Sequence, residues 1–417
     1  MPTDVLQLDE PVVADAIRTV NFFNGRLLTG GDLGREQQAR RGALARLGSA
    51  LGDGVAHGLD ISPASNVAPG NPPAITVQPG LAINRNGTAL GLTSPATIAL
   101  DRTAPPTENS IACLFDDCDT AGPGDYVGGQ GLYLLVIAPA FVSEGRAQVS
   151  GMADADRRCA YDATVEAVRF RLIRIAPEDY GVPGSGANFR NAIAYRCFGD
   201  GVLRGWAADL ISQLPRADDL IEELRGHGLE DEDVPLALIA FTGSAAPRFI
   251  DQWSVRRPLA PRYEDDVFAN IVDPRRIAVG RAMFRQFQDE IAGIAATAGQ
   301  LAATRARDRF AYLPPAGFLP ILNDGQALAF FTGLTVRGPT FIDAACVEPL
   351  IRESLSMPAI PTAANEAGSD HAIWLYRVAL QQSRPPNLIF ASGHLPDRGD
   401  ARFNLNHWDN ANYALIP

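Results

Sequence analysis

Four stretches of this chain gather groups that could do chemistry. In Leu114-Phe-Asp-Asp-Cys-Asp119 three aspartates flank Cys118. Carboxylates beside a thiol could hold a divalent cation. The alternating spacing of a calcium loop is absent, however, so the stretch reads as a solvated acidic loop. Glu230-Asp-Glu-Asp233 reads as an exposed acidic turn. Gly184-Ser185-Gly186 puts a hydroxyl between glycines. It lacks the G-x-S-x-G pattern of a nucleophile elbow. The fourth stretch is Asp251-Gln-Trp-Ser-Val-Arg-Arg257. Trp253, Arg256 and Arg257 suit an interface anchor, because Trp and Arg are enriched where partners bury surface. Equally, Trp253 could be buried in a strand while the arginines neutralise nearby acids.

The remaining reactive residues are scattered. The five histidines (His57, His227, His371, His394, His407) do not cluster, and no dinucleotide, phosphate-loop or zinc-protease motif occurs. A triad assembled only in space stays open, but nothing singles out its members. The sequence therefore predicts no catalytic residue, no cofactor and no metal. Cys113, Cys118, Cys159, Cys197 and Cys346 include no C-x-x-C and read as free, mostly buried thiols of a reducing compartment.

Composition narrows the partners. Across 417 residues the net charge is −12, which opposes a phosphate backbone as the main partner and a polybasic membrane contact. The first twenty residues carry acids where a secretory signal needs bases. No run approaches the roughly 20 apolar residues of a membrane span. A cytoplasmic chain without direct membrane insertion is expected, one that could assemble into a larger particle.

The elements that must position these groups follow from pattern. Thr29-Gly-Gly-Asp32 matches a capping box, predicting a helix over 32–51 with Leu33, Leu44, Leu47 and Leu51 on helical spacing. Gly34, Gly42 and Gly48 inside that helix suggest close packing against something. Before it, Phe22, Phe23, Gly25 and Leu28 form an aromatic turn whose rings could serve a neighbouring subunit. Short apolar runs punctuated by Pro79-Gly80 and Asn86-Gly87 predict strands, as do 131–142 and the alternating 164–175. Residues 230–241 read as an acidic turn entering a buried strand, with 248–262 as its partner.

Over 276–310, Phe284, Phe287, Ile291, Ile294, Ala298 and Leu301 repeat at 3, 4, 3, 4, 3. That predicts one long helix with a heptad seam, docked on its own domain or forming an oligomer interface. The whole reads as α+β. Its expected parts are a β-rich domain over 1–180, a middle region over 181–312 with the long helix, and a mixed α/β module over 313–417.

Val20-Asn-Phe-Phe-Asn-Gly-Arg-Leu-Leu-Thr-Gly-Gly-Asp-Leu-Gly-Arg-Glu-Gln37 resembles the opening of proteins encoded in phage-tail-like contractile injection system gene clusters. "VQPGLAINRNG", "RRCAYDATVEAVRFRLIRI", "VPLALIAFTG", "FIDQWSVRR" and "LPPAGFLP" continue the resemblance from about residue 20 to 320. Phe22, Gly25, Leu28, Leu33 and Gln37 also look like the N-terminal signature of the type VI secretion baseplate adaptor, a trimer. The resemblance implies a structural part of a tail-like particle, baseplate or baseplate-associated, whose partners are the particle's other subunits and further copies of itself. A receptor- or glycan-binding tail protein is the second expectation, with Trp374, Tyr376, Trp408 and Tyr413 as its aromatic platform. A hydrolytic enzyme is the last.

Overall fold

The computed structural model describes residues 13–14, 16–64, 73–100, 130–148, 159–199, 219–241, 247–261, 274–297, 299–321, 323–362, 372–378 and 388–392. The acidic stretch at 114–119, His371, His394, His407, Ala298, Trp408 and Tyr413 lie outside them.

The fold is mixed α+β. Helix α1 (Gly30–Leu51) starts where the capping box places it. Thr29 Oγ1 accepts from the Asp32 amide, and the Asp32 carboxylate accepts from the Thr29 amide. Six short strands follow: β1 (Gly54–Gly58), β2 (Ile61–Pro63), β3 (Ala74–Val77), β4 (Gly80–Ile83), β5 (Ala89–Leu92) and β6 (Ala96–Ala99). They form two antiparallel sheets, ordered β1-β4-β5 and β2-β3-β6. Asn86-Gly87 turns β4 back onto β5 as its hairpin signal predicts. Pro79-Gly80 instead passes the chain from one sheet to the other, since β3 and β4 do not pair.

Strand β7 (Gly131–Glu144), the short pair β8 (Ala147–Gln148) and β9 (Cys159–Ala160), and strand β10 (Ala163–Ile175) come next. After them lie α2 (Phe189–Phe198), α3 (Leu220–Glu223), β11 (Val234–Phe241) and β12 (Phe249–Asp251). A four-stranded sheet is ordered β10-β7-β11-β12, so it spans the boundary expected at residue 180. Both of its faces are covered, which is why β7 and β11 read as continuous apolar runs. Leu135, Ile137 and Ile239 face the small sheets, while Leu132, Leu134, Val136 and Leu238 face α2 and α3. β11 pairs with β7 only as far as Ile137. Beyond it, residues 138–144 pair with β10 alone and project as a two-stranded arm.

The second half begins with α4 (Pro274–Ala295), α5 (Gln300–Ala303) and α6 (Ala306–Arg309). This corrects the single helix expected over 276–310. The chain turns after Ala295, and Gly299 takes a left-handed conformation with φ of 76° that a helix cannot continue through. Then come β13 (Tyr312–Leu313), β14 (Ala316–Leu319), α7 (Asp324–Phe330), β15 (Val336–Ile342), α8 (Val347–Ser354), β16 (Ile360–Pro361), β17 (Ile373–Val378) and β18 (Leu388–Ala391). The sheet β14-β18-β17-β15 is antiparallel except for the parallel β15–β17 pair. Phe287, Ile291 and Ile294 of α4 cover one face together with Phe330 of α7, and Leu350 of α8 covers the other. A small cluster of Ala194, Phe198, Ala282, Met283, Tyr312 and Ala359 joins the two halves.

Candidate interaction surface

The turn before α1 is built by charge. Gly25 has φ of 89°, open to glycine at no steric cost. It lets Arg26 fold back, donating to Asn21 O (2.8 Å) and to the Asp32 carboxylate (2.7 Å). Arg35 reaches the same carboxylate at 2.6 Å. The Thr29 hydroxyl and amide bond Asp32 and, with Arg26 beside it, hold its carboxyl down at about 2. A tightly bonded acid thus fixes a turn whose large side chains point outward. Phe22, Phe23 and Leu28 are about half exposed or more, and Leu27 is 86% exposed. Arg26 covers part of Phe23 at 5.9 Å.

The leucine face of α1 is turned outward as well. Leu33, Leu44, Leu47 and Leu51 are all exposed, whereas the buried positions of this helix are Asp32, Ala39 and Gly48. Its glycines divide. A Cβ at Gly48 would lie 2.1 Å from Gly87 O, so α1 seats its backbone directly on the β4–β5 turn. A Cβ at Gly42 would make only ordinary contact with Ile17 at 3.8 Å, and one at Gly34 would meet nothing within 4 Å. Close packing therefore holds only at the C-terminal end.

The arm adds to the same face. Arg41 pairs with Glu166 (3.1 Å) and lies 5.6 Å over Phe141. Glu166 and Phe141 are cross-strand partners, so they share one side of the arm. Phe141 is exposed on that side, while the cross-strand partners Val142 and Val165 are exposed on the opposite side, and Tyr161 is exposed just before β10. Sequence reasoning missed this arm. Its signal is that the apolar run of β7 outlasts β11, the strand that covers it.

The other candidates make contacts within the chain. The Trp253 indole donates to Asp289 of α4 (2.7 Å), and Arg285 stacks 4.8 Å above its ring. Arg256 bonds Asp60 (2.8 Å) and Gly58 O. Arg257 donates to Ser254 O and Cys197 O, both at 2.7 Å, and lies over Phe198. All three tie one part of this chain to another. Phe287, Ile291 and Ile294 are buried in the second core with Leu301 at its edge, and Phe284 packs edge-on against Phe318 (5.6 Å). The 284–301 seam faces its own chain, as a domain-docking helix would.

Polar sites follow suit. Glu230, Asp231 and Glu232 form an exposed turn as expected, but Asp233, whose amide closes it onto Glu230 O at 3.0 Å, turns its side chain inward. It is buried, accepting two bonds from Arg171 (3.0 and 2.8 Å) and one from the Glu230 amide (2.8 Å). A cavity of about 240 Å³ is lined by Arg190, Arg248, Arg309 and Glu290. Arg190 binds Asp251 and Arg309 binds Glu290, so these cations already serve buried carboxylates. Burial pushes the Cys197 thiol up, away from the nucleophilic thiolate. Among the described residues no group of three or more His, Cys, Asp or Glu could hold a metal. No helix among them is long and apolar enough to cross a membrane. Tyr376 is buried and Trp374 half-buried beneath Arg337, so these two rings do not form an open platform.

No family model matches the sequence, and no curated protein matches it. Among solved structures, the crystal structure of TssK aligns over 68% of this chain and 52% of that protein. This chain thus spans about half of that protein's length. The identity is 10% and the TM-score 0.28, a level at which the likeness carries no argument.

Proposed function

We propose that this chain is a structural subunit of a phage-tail-like contractile injection particle, at or near its baseplate, acting through protein–protein interfaces. One observation carries the assembly part of this reading. Of the sixteen large apolar side chains exposed among the described residues, thirteen lie in the segment 13–51 or on the arm at 141–165. Scattered apolar residues are ordinary on a monomer, whereas a concentration of them in two neighbouring segments marks surface that another molecule covers. The resemblance of residues 20–320 to proteins of contractile-system clusters supplies the kind of particle. Trp253, Arg256, Arg257 and the α4 seam then act as internal ties that hold the face rigid. On this reading Phe22, Phe23, Gly25 and Leu28 belong to the contact itself.

The test is fractionation of lysate from a producing strain on a sucrose gradient. The chain should sediment with a particle of phage-tail size. Leu47→Glu, placed on the exposed face, should move it to the top fractions with its melting temperature unchanged. Parent chain found only in the top fractions, or Leu47→Glu retained in the particle, would overturn the proposal.

A further inference from the structure

Resting on that reading of the N-terminal face, we propose that α1 pairs with α1 of a second copy of this chain, antiparallel, about a two-fold axis level with residue 42. Six exposed residues of α1 recur at 4, 3, 4, 3, 4: Leu33, Gln37, Arg40, Leu44, Leu47 and Leu51. That 3.5-residue period is the seam of a two-helix coil. The order of the seam is symmetric in position. Leu33 and Leu51, Gln37 and Leu47, and Arg40 and Leu44 are each equidistant from residue 42. A two-fold axis there brings each member of a pair against the other member in the second copy. Such a patch is self-complementary, as an isologous contact requires.

The polar members choose the direction. Parallel, in-register pairing would set Arg40 against Arg40 and Gln37 against Gln37 in adjacent layers of the seam, burying like charges together. The antiparallel arrangement sets Arg40 against Leu44 and Gln37 against Leu47. The arginine stem then lies along leucine while its head reaches water. Arg41, on the flank of the seam, is neutralised in its own chain by Glu166, which removes a cation from the axis.

Area sets the strength. A helix of 22 residues is roughly 33 Å long and about 10 Å wide, a strip of about 330 Å². A standard interface needs about 800 Å² per partner. The strip alone falls short of that area, so the pairing is weak. The association is therefore concentration-dependent.

Light scattering on the full chain over a wide concentration range should show the mass rising from one chain towards two. Leu47→Glu should hold it at one, with a melting curve that matches the parent's at dilutions where the parent is a single chain. Direction is read by mixing Leu33→Cys chains with Leu51→Cys chains under mild oxidation, against the parent chain as background. Antiparallel pairing gives mainly mixed dimers, and parallel pairing gives mainly self-linked ones. A mass of one chain throughout, a mass of three, or self-linked products in excess would each overturn the pairing. The two proposals fail separately. A monomeric parent whose Leu47→Glu variant leaves the particle sinks the pairing and keeps the assembly reading. A dimeric parent whose variant stays in the particle does the reverse.

Discussion

At the scale of single residues, Asp32 and Gly48 do different work on one helix. Asp32 is a carboxylate held ionised by the Thr29 hydroxyl and amide, with Arg26 beside it, and its pKa is about 2 against an ordinary 3.8. A carboxyl depressed in the fold contributes stability that is fully present above its unfolded value and lost as pH falls through its folded one. The first turn of α1 should therefore keep its amide protection at pH 4 and lose it towards pH 2. Asp32→Asn should already lack that protection at pH 4. Hydrogen exchange at the Thr29 and Asp32 amides reads this, and equal protection in both proteins at pH 4 would refute it. Gly48 acts by its missing side chain. Alanine there must displace the Gly87 carbonyl, so Gly48→Ala should cost about 1–3 kcal/mol. Gly34→Ala, with nothing within 4 Å, should instead add up to about 1 kcal/mol of stability through helix propensity. Denaturant midpoints moving in the same direction for both would show that the contact at Gly87 is not fixed.

At the scale of elements, two helices carry heptad-spaced apolar residues and use them in opposite ways. The α4 seam turns inward, with Phe287 packed 5.1 Å from Phe310 and 5.3 Å from Phe390. The α1 seam turns outward. Phe287→Ala should cost about 3–5 kcal/mol, whereas Leu47→Ala should stay within about 0.5 kcal/mol in the isolated chain. Urea unfolding of both variants decides this, and a large loss for Leu47→Ala would mean that α1 is covered from within the chain. The contrast marks the limit of what sequence shows. Periodicity located both helices, and the capping box placed the start of α1 within two residues, because both signals are local. What a helix face packs against is not local. The four leucines of α1 have the spacing of a buried face, and only the fold reveals that the β4–β5 turn meets this helix at Gly48 instead. The break after Ala295 was likewise hidden, since the heptad runs on to Leu301 across a left-handed glycine. Trp253, Arg256 and Arg257 were legible as a cluster with a task, but sequence could not tell a tie within the chain from a contact with another.

At the scale of the whole molecule, two separately packed cores must move as one if the N-terminal face is to be a rigid docking surface. Their junction is small and partly polar. Asn191 of α2 is fully buried, and its side-chain oxygen accepts from the backbone amides of Ala311 (2.7 Å) and Tyr312 (3.3 Å). Near it, Asp251 gathers Arg190 and the amides of Trp253 and Ser254, while Trp253 reaches across to Asp289. Among the described residues, apolar contact at the junction is confined to a few side chains such as Phe198, Met283 and Tyr312, so these bonds decide whether the halves unfold together. Asn191→Ala would strand the buried Tyr312 amide at about 1–3 kcal/mol and cost the half-buried Ala311 amide its partner as well, without altering either main core. The parent chain should melt in one calorimetric transition, and Asn191→Ala should split it into two, with the lower one lying well below the parent. A single transition merely shifted downward would mean that the cores are coupled by the apolar cluster alone. Two transitions already present in the parent would mean that the halves are independent units. In that case the arm and α1 take their rigidity from the first core only, and substitutions in α4 should leave particle assembly untouched.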